Sequence, residues 1–268
     1  MAIQIPEKAN EFTPFEEGGV RLPFDAPLFW WVNGSNRGVK NGSGVDYFGG
    51  WSTDGALLDS MVQSSGIAIP DRLVSEIQIP KNGNQFTIYS TRWLAVAPIA
   101  RRFRWLIDQD KPNDKGRGHS QVLCLCSFGR PLQYWMPVIL SAKGLASKAI
   151  DTAFKSFETE TAVARKTWAH NAAYWFFWTR IGTFSDERNE VLVGPRGTQS
   201  PIVEAQTYVP ADLTEAKLDS LYVGEQNVDI MLEMKELSSE WANAWIDNAT
   251  SKQTIGRDVL PENEKIPF

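Results

Sequence analysis

The chain of 268 residues has few of the side chains that most often perform catalysis or bind metals, with two cysteines and two histidines. Cys124 and Cys126 are two residues apart, so a strand would point both side chains to one face, and a disulfide between them would be strained. With only His119 and His170 elsewhere, the sequence does not group four ligands for tetrahedral zinc. We therefore expect two buried thiols on a core strand, no metal site and no cofactor.

Long apolar runs and catalytic motifs are also missing. No stretch approaches the roughly 18 to 20 uninterrupted apolar residues of a membrane span, and the first residues lack the layout of a signal peptide. These absences predict a cytoplasmic protein without membrane contacts. The sequence contains no phosphate-binding loop, zinc-peptidase motif or nucleophile elbow. His119 lies in a Gly-flanked segment where an exposed loop residue is expected, so we assign no catalytic residue and expect no enzyme.

Aromatic residues are abundant by contrast, with 11 Trp, 14 Phe and 6 Tyr. The net charge of −5 argues against a protein that coats duplex DNA by its overall charge. It does not exclude nucleic acid, because an acidic segment can offset a basic groove in the total. The positions of the basic and aromatic residues are therefore more informative than their numbers.

Short apolar or alternating runs, separated by Gly, Asn and Pro, predict an antiparallel sheet or barrel. The predicted strands are 27–32, 45–51, 85–89, 93–107, 121–128 and 133–140, with shorter strands near Val191 and Ile202. Helical spacing predicts one helix from about Lys143 and a second over about 228–249, and Asp212 with Glu215 has the layout of a capping box. Residues 172–181 fit either a central strand or a buried helix. The predicted fold class is α+β, mainly antiparallel β, with a barrel-like core and added helices.

Composition divides the chain into three parts. Residues 1–24 are polar and rich in Pro and Gly, which predicts an N-terminal arm. Residues 25–249 are predicted to form a single domain. From residue 250 onward the apolar periodicity stops, so residues 250–268 are predicted to form a disordered, flexible C-terminal tail.

Residues 92–117 combine basic and aromatic side chains, with seven Arg or Lys against three Asp. Cations neutralise phosphates and rings stack on unpaired bases of any sequence, so this stretch is predicted to bind single-stranded DNA. In an extended strand residues 101, 103 and 105 share one face, and residues 102 and 104 share the other. An ordinary strand, with rings in the core and Arg in water, is the alternative. The candidate residues are Arg92, Trp93, Arg101, Arg102, Phe103, Arg104, Trp105, Lys111, Lys115 and Arg117.

A second aromatic group is a weaker candidate for the same role. Tyr47, Phe48 and Trp51 surround paired glycines, which let a ligand approach the backbone closely, so the three rings are a candidate stacking platform. Lys81, at the tip of a predicted hairpin, is a candidate phosphate contact or an ordinary solvated charge.

The C-terminal tip carries a family resemblance. Asp258, Glu262 and Glu264 precede a terminal Ile266-Pro267-Phe268. This ending resembles the partner-recruiting tail of bacterial and phage single-stranded DNA-binding proteins, over roughly the last ten residues. The acids are more dispersed than in that family, and Lys265 lies among them. The resemblance implies an OB-like fold for the core, and a tail that docks its terminal ring and carboxylate into an apolar pocket with a basic rim.

These observations predict a non-catalytic protein that coats single-stranded DNA during replication or recombination. Its tail would recruit replication or repair proteins, and self-association into a homo-oligomer is compatible with this role. Two alternatives stay open. A carbohydrate-binding β-protein would also use exposed Trp, and a strand-annealing recombinase would share the DNA affinity but assemble into rings or filaments.

Overall fold

The structure is a computed structural model that describes residues 20–32, 50–78, 86–106, 116–129, 131–184, 190–193 and 200–245. Most of the predicted N-terminal arm and the whole predicted tail lie outside these residues.

Nine of the eleven described strands form one sheet, in the order β11-β8-β5-β6-β7-β1-β2-β4-β3. Strands β1 and β7 are parallel, the other neighbouring pairs are antiparallel, and β9 and β10 form a separate hairpin. The strands are β1 (Leu28–Val32), β2 (Gly50–Asp54), β3 (Val74–Gln78), β4 (Phe86–Thr91), β5 (Trp93–Leu106), β6 (Arg117–Phe128), β7 (Gln133–Lys143), β8 (Thr179–Gly182), β9 (Glu190–Val193), β10 (Ser200–Val203) and β11 (Gln206–Tyr208).

The helices cover both faces of the sheet. They are α1 (Gly55–Ser65), α2 (Leu145–Trp168), α3 (Glu215–Asp219) and α4 (Glu225–Leu237), with a 3₁₀ turn at Tyr174–Phe176. A further helical segment over 239–245 follows α4 after a break at Ser238. Asp54 caps α1, because its carboxylate accepts a hydrogen bond from the Leu57 amide at 2.8 Å.

Side chains along the central strands point alternately to the two faces of the sheet, so a hydrophobic core forms on each face. On the face covered by α1 and α2, which we call the α2 face, Val96, Cys124 and Cys126 pack with Ile150 and Phe154 of α2. On the opposite face, which we call the α4 face, two further clusters include Met231 of α4 and Trp241 of the 239–245 segment. Both cysteines are fully buried and unpaired, as predicted, and burial raises the pKa of each thiol.

The structure confirms an α+β, mostly antiparallel fold, and the predicted strands that it describes are present. Residues 172–181, which the sequence left open, form the 3₁₀ turn followed by β8. Helix α1 and strand β3 were not predicted. The capping-box prediction was wrong, because Thr214 caps α3 while Asp212 has a left-handed φ of 53°. Among the described strands, β11 and β3 are the two ends of the sheet order and do not pair with each other.

Among the described residues, no helix has the length and apolar character needed to cross a membrane.

Candidate nucleic-acid interface

Strand β5 carries six of the nine predicted DNA-binding residues that the structure describes, but it separates them into two places. It is 14 residues long, and Trp93 and Trp105 stand twelve positions apart near its two ends. At about 3.3 Å per residue their backbones are about 40 Å apart. We call the end formed by 101–106 of β5, 117–121 of β6 and 141–143 of β7 the tip surface.

Two rows of polar side chains cross the tip surface on the α4 face. Arg104, His119 and Lys143 stand opposite one another on β5, β6 and β7, because each is the register partner of the next. Arg102, Gln121 and Ser141 form the adjacent row in the same way. The second row is tied together, since the Arg102 Nε donates to Gln121 Oε1 at 2.8 Å. Antiparallel pairing therefore gathers cations that are up to 41 positions apart in the chain.

The helical segment 239–245 lies on these rows. The Arg102 guanidinium is 4.3 Å from the Trp241 ring centre and 4.0 Å from that of Trp245, and Arg104 is 4.3 Å from Trp245. Arg102 is only 6% exposed. The prediction that Arg102 contacts phosphate is therefore wrong for this structure, because two indoles and Gln121 enclose its guanidinium. Such cation–π contacts are stronger when they are desolvated.

His119 is part of the same cluster. It belongs to β6 and is 5% exposed, so the prediction of an exposed loop residue was wrong. Its Nε2 lies 3.0 Å from the Ser141 hydroxyl and its ring centre 4.8 Å from that of Trp245. Burial, aided by the positive charges of Arg104, Lys143 and Arg102, lowers the pKa of His119 to about 3. The imidazole is therefore neutral at physiological pH.

The α2 face of the tip surface carries the other alternation of β5. Arg101 forms an ion pair with Asp151 of α2, and Phe103 meets Trp105 edge-to-face with ring centres 5.7 Å apart. The predicted division of residues 101–105 between two faces is thus confirmed. Both rings are partly exposed. Gly118 has a packing role here, since a Cβ on it would lie 3.1 Å from the Phe103 ring.

Positive charge dominates the exposed part of the tip surface. Arg101, Arg117 and Lys143 are exposed and Arg104 is partly exposed, while Asp151 is the acid that the structure pairs with one of them. Cations and partly exposed rings at one end of a sheet suit a ligand that is both anionic and aromatic, such as an unpaired nucleic-acid strand.

Trp93 belongs to a different group at the other end of β5, and Arg92 precedes it in the chain. The Arg72 guanidinium lies 3.8 Å from the Trp93 ring centre, and Arg180 lies 5.3 Å from Trp93 and 5.7 Å from Tyr208. Phe184 packs against Trp93 and Tyr208, with ring centres 6.2 and 5.7 Å apart. We call Arg72, Trp93, Arg180, Phe184 and Tyr208 the Trp93 cluster.

Trp51 is the described member of the second predicted stacking group, and its position excludes contact with a base. Trp51 is fully buried, meets Trp31 edge-to-face at 5.1 Å, and donates its indole N–H to the Ile181 carbonyl at 2.9 Å. The prediction that Trp51 stacks on bases is therefore wrong, because both faces of its ring are in the core. Several predicted site residues lie outside the described residues: Tyr47, Phe48, Lys81, Lys111, Lys115, Asp258, Glu262, Glu264, Ile266, Pro267 and Phe268.

Sequence reasoning missed several residues that the fold adds to these groups. Lys143 ends an apolar strand, and pairing β6 with β7 would have placed it opposite His119. Trp241 and Trp245 lie in the segment predicted as a helix and both are buried, but their stacking on Arg102 was not foreseen. No local pattern marks Arg72, Arg180 or Tyr208, because only the tertiary structure brings them to Trp93.

A groove of about 280 Å³ lies between α2 and β11, and its rim includes Glu160 and Glu204. Its lining residues include no basic side chain, so it does not suit a nucleic acid. Within the described part of the chain, no group of His, Cys, Asp and Glu is arranged to hold a metal ion.

Comparisons with known proteins give no further guidance, since no family model, no curated protein and no solved structure matches the chain significantly.

Proposed function

We propose that this protein binds single-stranded DNA in the cytoplasm, without catalysis, and coats it during replication or recombination. The observation that carries the proposal is the tip surface, which gathers cations and partly exposed rings at one end of the sheet. Arg104 and Lys143 lie on its α4 face, Arg117 is exposed at the start of β6, and Arg101 accompanies Phe103 and Trp105 on its α2 face. Guanidinium and ammonium groups displace counterions from phosphates, and rings bind the faces of unstacked bases. A duplex hides those base faces, so the rings favour a single strand.

Acidic side chains elsewhere on the described surface restrict the proposed DNA contacts to the tip surface. Helix α4 and the segment after it expose five acids, Glu225, Asp229, Glu233, Glu236 and Glu240, with Lys235 among them. These acids repel a polyanion from the middle of the α4 face. The net charge of −5 is thus compatible with DNA binding at the tip surface.

The C-terminal tail completes the proposal as a recruiting element. Its support is the resemblance of the Ile266-Pro267-Phe268 ending to tails of single-stranded DNA-binding proteins. The last described residue, Trp245, contacts Arg102 and Arg104 of the tip surface. The OB-like barrel implied by the same resemblance stays a prediction, because the sheet order of the described strands runs from β11 to β3 without pairing them.

The decisive experiment is titration of the full chain with oligo-dT at several salt concentrations. Tryptophan fluorescence should be quenched, and the affinity should fall steeply as salt rises. Arg117→Ala combined with Lys143→Ala should weaken binding and reduce the salt slope by about 1.4, since each contact with a single strand contributes about 0.7. Lys166→Ala combined with Lys235→Ala removes two exposed charges elsewhere and is the matched control.

The results separate this function from the alternatives. Absence of quenching at low salt, or an equal loss in the control variant, would contradict DNA binding at the tip surface. Salt-insensitive binding to glycans would favour a carbohydrate-binding protein instead. Sizing with and without DNA would reveal the rings or filaments of an annealing recombinase.

The tail is tested by removing Ile266 to Phe268. The shortened chain should lose recruitment of a helicase, primase or nuclease and keep its oligo-dT affinity. A loss of DNA affinity in that variant would show that the tail belongs to the DNA site.

A further inference from the structure

We propose that Phe103 is a positioning residue that fixes the ring of Trp105 for stacking on a single base, an inference that rests on the proposed function. Both rings lie on the α2 face of the tip surface and both are partly exposed. Their centres are 5.7 Å apart and their planes are 87° apart. Because a flat base lies parallel to only one of two perpendicular rings, the pair offers such a base one stacking face rather than two.

The packing of Phe103 identifies it as the supporting ring of the pair. Gly118 is the register partner of Trp105, and a Cβ on Gly118 would lie 3.1 and 3.3 Å from two atoms of the Phe103 ring. The same Cβ would lie 3.0 Å from the hydroxyl of Ser147 in the first turn of α2. The Phe103 ring therefore leans along β5 into the space that a side chain at position 118 would occupy. This space exists because residue 118 is glycine.

Hydrogen bonds fasten the start of α2 beside this ring. The Gly144 amide donates to the Gly118 carbonyl at 2.6 Å, and the Ser147 hydroxyl donates to the Gly144 carbonyl at 2.7 Å. The wall against which Phe103 packs is thus part of the rigid sheet and of a helix of 24 residues. Phe103 is held in place before any ligand arrives.

Trp105 is the ring of the pair that we assign to the base. It lies two residues beyond Phe103, next to the last residue of β5. Its edge-to-face contact with the fixed ring of Phe103 restricts the rotation of the indole. A side chain that is already held in one orientation binds more tightly, because it loses less rotamer freedom on binding. Phe103 therefore acts on DNA affinity through Trp105.

The test is a double-mutant cycle on oligo-dT binding by the full chain. Phe103→Leu keeps an apolar side chain without the ring, and it should weaken the affinity about 2- to 12-fold, the factor that corresponds to one edge-to-face pair. In the Trp105→Ala background the same substitution should have no further effect, because no indole is left to position. Phe128→Leu is the matched control, since Phe128 meets Trp135 edge-to-face at 5.0 Å at the other end of β6. It should leave the affinity unchanged.

A spectroscopic readout follows the indole itself. In a chain labelled with 5-fluorotryptophan, the fluorine NMR signal of Trp105 is identified by its loss in Trp105→Phe. This signal should shift in DNA-free Phe103→Leu, because the ring current of Phe103 is lost. It should also shift in Gly118→Ala, whose Cβ would displace the Phe103 ring while both rings stay in the chain. Oligo-dT should move the signal in the wild-type chain and less in these two variants.

The outcomes separate this inference from the function on which it rests. Additive losses in the cycle would show that Phe103 binds a base of its own, and an unchanged affinity in Phe103→Leu would show that it takes no part. Either result overturns the positioning role, as does an equal loss in Phe128→Leu. If the wild-type chain binds no oligo-dT, the proposed function itself is wrong, whatever the fluorine signals of the DNA-free protein show.

Discussion

The tip surface and the Trp93 cluster use the same pairing of Arg with aromatic rings in opposite ways. At the tip surface the rings of Trp241 and Trp245 are 2% and 5% exposed, and their contacts with Arg102 fasten a helical segment to the sheet. In the Trp93 cluster the edge ring of Tyr208 is 44% exposed. A buried cation–π contact therefore stabilises the fold, whereas an exposed one leaves a ring face for a ligand.

The largest expected effect is on the free energy of unfolding, and it comes from the buried rings of the tip surface. Trp241→Ala should lower the free energy of unfolding by about 3 to 5 kcal/mol, because it leaves a cavity beside Leu123 and Ile139 and exposes Arg102. Trp175→Ala, at a position 42% exposed, should change it by much less. Urea unfolding measures both, and equal values would mean that Trp241 is not packed as described.

A pH titration of stability probes the same buried cluster. Unfolded His119 binds a proton with an ordinary pKa near 6.5, whereas folded His119 resists protonation until about pH 3. The unfolded state therefore binds more protons between these values, and the protein loses stability as the pH falls from 6.5 toward 3. His119→Gln removes this contribution, so wild type should lose about 3 kcal/mol more than the variant between pH 6.5 and 4.

Parallel curves for wild type and His119→Gln would show that the imidazole is solvated. The groups that face it are Arg102 and Arg104 of β5, Lys143 of β7, and Trp245. The His119→Gln variant keeps all of these neighbours, so the difference between the two curves reports on His119.

The exposed rings of the tip surface should matter for DNA and less for folding. Trp105→Ala should weaken oligo-dT binding by about 1 to 3 kcal/mol through the loss of one base stack, while Trp105→Phe should keep most of the affinity. Fluorescence titration measures the affinity, and thermal unfolding of both variants shows whether packing against Phe103 contributes. An unchanged affinity for the alanine variant would remove Trp105 from the site.

The smallest effect is expected at the ion pair between Arg101 and Asp151. Their side chains are 44% and 19% exposed, and a pair in such contact with solvent contributes at most about 1 kcal/mol. Asp151→Asn should therefore change the unfolding free energy by less than this amount and leave DNA affinity equal or slightly higher, since it frees a cation. Glu160→Gln, on the same helix, is the control. Weaker DNA binding by Asp151→Asn would indicate that Asp151 orients Arg101 for its ligand.

Local periodicity predicted those parts of the fold that depend on neighbours in the chain. The two-residue repeat of a strand correctly divided Arg101, Phe103 and Trp105 from Arg102 and Arg104. Adjacent strand residues point to opposite faces, and accordingly Trp31 is buried while its neighbour Trp30 is partly exposed. It could not identify which face of β5 meets water, because that depends on the helical segment 239–245, which lies more than 130 positions later in the chain.

The sequence by itself determined the strand-rich α+β character, the burial of Cys124 and Cys126, and the concentration of Arg and aromatic residues along β5. Each of these follows from composition or from a repeat within one element. Tertiary structure alone decided that Trp51 is sealed, that Trp241 and Trp245 enclose Arg102, and that Arg180 and Tyr208 join Trp93. Those outcomes depend on contacts between distant segments, whose energies arise from packing and desolvation that a local pattern does not contain.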